Sequence, residues 1–566
     1  MRSLNYLLAL VSVVLSFSLV DKIFAVNYYV SNNHPKANDA NYGIQSNLPI
    51  KSISAALLKA FPGDTVWVDS GTYRETILIP RGGFKSTKSI SIRALPKADV
   101  RIKGSDPVSG WVKHFGSVWK RLNWEVNSQQ VFIDGVPLQQ IGMNCPLQSQ
   151  IFEKKPLLPF VGKGVGDVHP GSFFYDQKEK IIYIQLHDGS DPNRHLVEAS
   201  VRDFVIQPKE LNFIVLERLN FSHSNLTSKG LIMGMVNVWG NFWTITDCTL
   251  DYADFAGISV IGTGHKITNC KFNNNGNLGI SLNGSDDAHK WAPVPNRPPQ
   301  NIVLSGNETN YNNYRKFELS WQNGGIKAAV SCNGVRVTSH KAIANYGVGI
   351  WFDAYCRNIT ISRSTVTKNL IGIFYEISDQ AVIANNLVTG NEYQGIYVAA
   401  SSEVTVMNNT LDDNGFGIVI HGLPRAEHPT LNNNRVLNNI VSESRLVDLV
   451  FYKNAEKARG NSSDYNLYYR RDKGVKISWT GNRDYGITHT NLRTFAKASG
   501  QETHSLTADP RWVNSEAGNY ALKAGSPALG AGMGEKAVPG QGTRRRSYSS
   551  GSEGGGSSTK VNIGAF

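Results

Sequence analysis

Two carboxylates, Asp353 and Glu376, close the segments GIWFD and GIFYE and lie 23 residues apart, which is also the interval at which this stretch of chain repeats. Gly-plus-aliphatic starts recur at Gly325, Gly349, Gly372, Gly395 and Gly417, and Gly257 and Gly279 show the same pattern earlier. A repeat of this length, with short strands and Asn-rich turns, predicts a solenoid in which each turn packs only on its neighbours. In a parallel β-solenoid, equivalent positions on adjacent turns stand one strand spacing apart, about 4.8 Å. Asp353 and Glu376 are therefore expected as stacked neighbours. Two ionised carboxylates so close repel, so one is expected to keep its proton toward neutral pH. A protonated acid beside an ionised partner is the pair that glycoside hydrolysis needs. Separations of ~5–5.5 Å go with retention and ~6.5–9.5 Å with inversion, so stacking on adjacent coils favours retention.

The strands that carry these acids also predict what surrounds them. Side chains alternate along a strand, so the first and third residues after each repeat glycine share one face. They are Ile326/Ala328, Ile350/Phe352, Ile373/Tyr375, Ile396/Val398 and Ile418/Ile420, an apolar interior. The second and fourth are Lys327/Ala329, Trp351/Asp353, Phe374/Glu376, Tyr397/Ala399 and Val419/His421, which set the acids in an outward aromatic strip. Aromatic rings offer flat faces to sugar C–H groups, so Trp351, Phe374 and Tyr397 are expected to bind substrate. Lys327 could neutralise the nucleophile or hold a hydroxyl, and His421 is a further candidate on the same face. Residues 282–324 interrupt the period and carry His289, Trp291, Tyr311, Tyr314 and Trp321, a candidate substrate-binding wall that adds Trp321 to the site.

The elements that must position this site follow in order. Met1 to Ala25 has Arg2, an apolar run and a small residue at its end, which reads as an export signal at 1–25, with an uncleaved anchor as the other reading. Residues 26–106 hold the first coils and a short capping helix around Ile53 to Ala60. Residues 107–200 lose the period and show hairpin signals, which predicts an inserted β-rich domain, with a β-sandwich as one form it could take. Residues 201–470 form the regular parallel helix, and 471–566 a C-terminal region with a Gly/Ser-rich stretch whose final NIGAF returns to the body. Asn385, Asn386, Asn408, Asn409, Asn438 and Asn439 occupy one phase of the repeat, where stacked amides can bridge successive turns. The five cysteines are an odd number; Cys248 and Cys270 are expected to stack as interior thiols. No cysteine spacing suggests zinc. The net charge of +13 is spread along the chain, and no basic motif points to nucleic acid. No segment after the signal is apolar over the ~20 residues of a membrane span, so a secreted or periplasmic location is expected.

The YYVS…PGDTVWVDSGTYRE region, WQNGGIK at Trp321 to Lys327, GIWFD and FYEIS together resemble the secreted right-handed parallel β-helix proteins, and within them the glycoside hydrolase family 120 β-xylosidases. The resemblance covers roughly residues 27 to 440. It implies an all-β right-handed parallel β-helix with a β-rich insertion, Asp353 as nucleophile and Glu376 as acid/base. After FYE the chain continues ISDQAVIANN, where the resemblance implies a His-containing turn. The expected activity is retaining hydrolysis of a poly- or oligosaccharide without a cofactor. A polysaccharide lyase or uronate C5-epimerase, using a base such as Lys327 and often Ca²⁺, is the enzymatic alternative. A non-catalytic polysaccharide-binding protein is the other.

Overall fold

The computed structural model describes residues 25–142, 161–226, 233–285, 297–317, 322–422, 431–452, 458–472, 474–479, 487–534 and 562–564. Three parallel sheets run along the solenoid. One has 13 strands, a second has 12, of which the last, Ile487–His489, pairs antiparallel, and the third is built from a four-stranded and an eight-stranded piece joined by bridges at Lys271. Each turn contributes one strand to each face, as in Arg336–Thr338, Lys341–Ile343 and Val348–Asp353. The predicted inward residues form the core: Ile326, Ala328, Ile350, Phe352, Ile373, Tyr375, Ile396, Val398, Ile418 and Ile420 are all fully buried. Cys248, Cys270, Cys332 and Cys356 are free thiols buried in the same interior. Cys145 lies outside the described residues.

Two asparagine ladders hold the corners. Asn386, Asn409 and Asn439 donate from Nδ2 to the Oδ1 of Asn409, Asn439 and Asn466 at 3.0, 3.0 and 3.1 Å. The ladder ends on the buried carboxylate of Glu502, at 3.2 Å from Asn466 Nδ2. Their partners in each Asn pair do different work: Asn385, Asn408 and Asn438 take positive φ, which Asn tolerates better than most residues. A second ladder, through Asn275, Asn312, Asn345, Asn369, Asn391 and Asn414, lies beyond the sequence-based expectation. It runs beside the repeat glycines, which the close approach of successive coils requires. A Cβ at Gly372 would lie 2.4 Å from Gly395 O and 2.9 Å from Asn391 Nδ2, and one at Gly349 would lie 2.7 Å from Val366 Cγ1, 2.8 Å from Gly372 O and 3.0 Å from Asn369 Nδ2. The strand that carries the acids begins beside this contact.

Both ends of the solenoid are closed. The helix Ile53–Lys59 starts on Ser52, whose hydroxyl accepts from Ala55 N–H, and buries Ile53, Ala56 and Leu57. At the other end a helix absent from the sequence-based expectation, Leu492–Ser499, buries Phe495 against Trp479. The final residues return as expected: Ile563 is buried with Ile440 and Leu467, and Gly564 N–H donates to Asn438 O. The Gly/Ser-rich stretch and residues 1–24 lie outside the described residues, among which no helix is long and apolar enough to cross a membrane.

The insertion leaves after Val100–Lys103, and the chain rejoins the solenoid one coil on, with Phe221 paired to Ile102. A four-stranded and a five-stranded sheet pack face to face over Val131, Phe173, Tyr175, Ile182, Ile184 and Val197. The sandwich is fastened to the helix by Glu198, which is bonded to Arg74 at 2.6 Å and Lys103 at 2.7 Å, and by Phe132 stacked on His223 at 3.7 Å. Burial pushes His223 down to about 3, so its ring is neutral there.

Candidate active site

Five adjacent strands build the strip: Gly324–Ala329, Val348–Asp353, Ile371–Glu376, Gln394–Ala399 and Phe416–His421. Their register is unbroken. Lys327 pairs with Trp351, Trp351 with Phe374 and Phe374 with Tyr397. Ala329 pairs with Asp353, and Glu376 with Ala399. Because Phe352 pairs with Tyr375, Asp353 and Glu376 occupy equivalent positions on neighbouring coils. The strand before Lys327, Leu278–Asn283, pairs directly with Gly324–Ala329, and the stretch expected as an inserted wall contains Val303–Ser305 and Glu308–Asn310, which pair with neighbouring coils as the other two faces of that turn. Ser281 underlies Lys327 there, a neighbour that the interrupted period hides.

The rings form a continuous column. Trp351 and Phe374 are stacked at 5.1 Å, and Phe374 and Tyr397 at 4.6 Å with planes 3° apart. His421 continues the column at 6.2 Å, and its Nδ1 is 3.0 Å from Tyr397 Oη. Burial lowers the His421 pKa and favours the neutral imidazole. This strip is not the open surface that alternation alone suggests. Trp351 is 4% exposed, Phe374 8% and Glu376 5%. An acid in such surroundings works out of bulk water, where electrostatic interactions are stronger.

Lys327 departs most from expectation. It is among the largest fully buried side chains, so it does not face solvent as a group that holds a substrate hydroxyl would. Its Nζ lies 2.6 Å from Asp353 Oδ2 and 3.2 Å from the centre of the Trp351 ring. Burial lowers its pKa, against the opposing pull of Asp353 first, then of Glu376 and Cys356. To the expected pair of facing acids the structure therefore adds a buried ammonium bonded to Asp353, with Glu376 one coil further on. Trp321, His289 and Trp291 lie outside the described residues. Among the described residues no three His, Cys, Asp or Glu side chains gather to hold a metal ion.

The strand ends are held in strained turns. Val330, Ala354, Ile377 and Ala400, each the residue after a strand of the strip, have φ of 64°, 53°, 47° and 46°. For the β-branched Val330 and Ile377 this region is costly. Ile377 directly follows Glu376, and its N–H donates to Ala399 O at 3.0 Å. Cys356 Sγ, three residues after Asp353, donates to Asp353 O at 3.1 Å. Neither feature has a sequence signal beyond its place in the repeat.

The chain matches the family described as right handed beta helix region over residues 234–411 and 358–482. No curated protein matches it. A solved structure described as the complex of XylC with xylose is 16% identical, with a TM-score of 0.58 over 86% of this chain and 87% of that one. Pectate lyase Pel9A is 14% identical, with a TM-score of 0.44 over 97% of this chain and 98% of that one. The A-module of the mannuronan C-5 epimerase AlgE4 of Azotobacter vinelandii is 13% identical, with a TM-score of 0.42 over 85% of this chain and 100% of that one. The protein is an all-β right-handed parallel β-helix.

Proposed function

We propose that the protein is an exported glycoside hydrolase that cleaves a poly- or oligosaccharide with retention. The observation that carries this reading is the Phe352–Tyr375 pairing, which sets Asp353 and Glu376 at equivalent positions one coil apart inside the ring column. A strand spacing of about 4.8 Å is close to the ~5–5.5 Å of a retaining pair. That a protein of similar fold was solved with xylose also supports a saccharide ligand.

In this mechanism Glu376 donates its proton to the leaving oxygen while Asp353 attacks the anomeric carbon, so the glycosidic bond breaks as an ester to Asp353 forms. Glu376, now ionised, takes a proton from water, whose oxygen displaces Asp353 and restores both groups. The lyase reading takes a base such as Lys327. Its burial and its bond to Asp353 favour hydrolysis instead.

The test is incubation with a panel of aryl glycosides and with uronate polymers, following reducing ends and the absorbance of unsaturated products. The expected result is phenol release from at least one glycoside by the wild type and its loss in Asp353→Asn and Glu376→Gln. Unsaturated products in place of new reducing ends would overturn the hydrolase reading, and activity that survives both substitutions would overturn the residue roles.

A further inference from the structure

We infer that the capped N-terminal end of the solenoid is a docking face for an anionic lipid surface, built from exposed rings and aliphatic side chains set among lysine and arginine. The inference goes beyond the hydrolase reading and does not depend on which reaction the strip catalyses.

A solenoid needs its ends covered, and the helix Ile53–Lys59 covers this one with Ile53, Ala56 and Leu57. A cap that serves solubility alone turns polar side chains outward. This one does not. Leu58 is 66% exposed, and Phe61, just beyond the helix, 56%. The loop before the helix lies along the first strand, where Tyr29 N–H donates to Gly43 O, and it exposes Tyr42 and Ile44. Phe84 is also exposed, and its segment runs beside Phe61, since Gly63 N–H donates to Ser89 O at 3.0 Å. Among the described residues, seven of the 19 exposed large apolar side chains fall within residues 42–84, so the exposure is concentrated here rather than scattered singly.

Charge decides what can cover such a face. Arg81 lies over the Phe61 ring at 4.5 Å and Lys85 over the Phe84 ring at 5.7 Å. Arg81 Nη1 donates to Leu58 O and Lys59 Nζ to Asp39 O, each at 3.2 Å, and a neutral carbonyl does not cancel a cation's charge. The acids nearby are turned to the start of the helix: Glu75 accepts from Ile53 and Ser54 N–H, and Asp39 from Lys51 and Ser52 N–H. Rings and aliphatic chains with cations between them match the boundary of an anionic bilayer, where aromatic side chains sit at headgroup depth and each nearby Lys or Arg is attracted.

The entry of the chain points the same way. Val26 N–H and Phe61 N–H donate to the two oxygens of the buried Asp64, at 2.7 and 2.8 Å, so the first described residues join the fold beside Phe61. The apolar run Leu4–Val20 ends six residues before Val26, a reach of about 20 Å. On the export reading, that run brings this end of the solenoid, and not the other, to the membrane for as long as it stays attached.

The experiment takes residues 26–566, which hold all of the described strands and helices, and sediments them with vesicles of phosphatidylcholine, with or without phosphatidylglycerol. Wild type is compared with Lys85→Gln, with the double variant Phe61→Glu/Phe84→Glu, and with Leu196→Glu, a control of similar exposure on the sandwich. Wild type should bind the vesicles that contain phosphatidylglycerol. Lys85→Gln should bind about 5-fold more weakly and the double variant on the order of 10-fold or more, with Leu196→Glu unchanged. These side chains stand in solvent, so all urea midpoints should match, and hydrolysis of any aryl glycoside should be the same in every variant. The docking face and the hydrolase reading therefore stand or fall separately. Absence of binding to anionic vesicles, or binding that is equal in the double variant, would overturn the inference. A dimer in sedimentation velocity that the double variant abolishes, in place of vesicle binding, would give the face to a second copy. In the full chain, a dye on Phe61→Cys that is shielded from iodide before vesicles are added would give it to residues 1–24, and either result overturns the lipid assignment.

Discussion

Glu198 and Asp353 each sit on a lysine ammonium at 2.7 and 2.6 Å, yet the first has a second cation, Arg74, and the second has another acid one coil on. Glu198 is a single, fully buried carboxylate with two cations, Arg74 and Lys103. Burial is the largest influence on it and raises its pKa, but the bonds to Lys103 and Arg74 together outweigh that and hold it below the usual range. Every charge there has a partner, and the cluster fastens the sandwich to the solenoid. At the strip the buried Lys327 ammonium is bonded to Asp353, and a second acid, Glu376, stands one coil further on. A carboxylate clamped between two cations fastens one element to another, whereas two acids on adjacent coils can share the steps of a reaction.

The largest expected effect sharpens this contrast. Asp353→Asn and Glu376→Gln should each lower hydrolysis by on the order of 10⁴-fold, as losses of a nucleophile or its acid do elsewhere. The urea unfolding midpoint of Glu376→Gln should stay close to wild type, whereas Asp353→Asn takes the anionic partner from the buried Lys327 ammonium and should lower it. A large loss of stability in Glu376→Gln would break the comparison by making the strip a structural cluster too.

Glu198→Ala should do the opposite. Removing one partner of a buried ion pair costs about 3–5 kcal/mol, and the low end applies because Lys103 and Arg74 retain some solvent contact. The activity of the molecules that remain folded should be unchanged. The sign with pH is fixed by the depressed folded-state pKa. Stability from Glu198 is fully present above the unfolded value of about 4.3 and is lost as pH falls through the lower folded value. Wild type should therefore lose stability between those two values, and Glu198→Ala should show a flatter profile there in denaturant titrations.

The difference between the clusters also marks what the sequence makes legible. The strip is readable because Gly349, Gly372 and Gly395 share a period with Asp353 and Glu376, and alternation then sorts every neighbour to a face. The Glu198 cluster is not, because Arg74, Lys103 and Glu198 come from opposite sides of an insertion and share no period. The charge state of the strip escapes too. Lys327 is visible on the outward face, but its burial depends on what covers that face, and a repeat pattern says nothing about covering loops. The second ladder is hidden by spacing: Asn275 and Asn312 are separated by an excursion that the count of residues does not bridge.

The same contrast extends to backbone turns and yields the smallest effect. At the ladder corner the left-handed positions hold Asn385, Asn408 and Asn438, residues suited to that conformation. Beside the acids they hold Val330 and Ile377, whose branched side chains crowd the backbone at positive φ. A left-handed conformation costs a non-Gly residue about 1–2 kcal/mol, and Asn relieves part of it. Ile377 is half-buried, so Ile377→Asn gives up some apolar packing against that gain. The expected net is a rise in stability of up to about 1 kcal/mol, read as a higher urea midpoint with an unchanged slope. Because Ile377 N–H on Ala399 O fixes the strand end that carries Glu376, the relaxed turn should also lower kcat by less than tenfold while KM holds. Asn408→Ile at the ladder corner makes the reverse substitution, and it should destabilise without touching kcat. If both variants shift stability in the same direction, the turns beside the acids are no more strained than those at the ladder, and the contrast between satisfied and poised regions is confined to their charges.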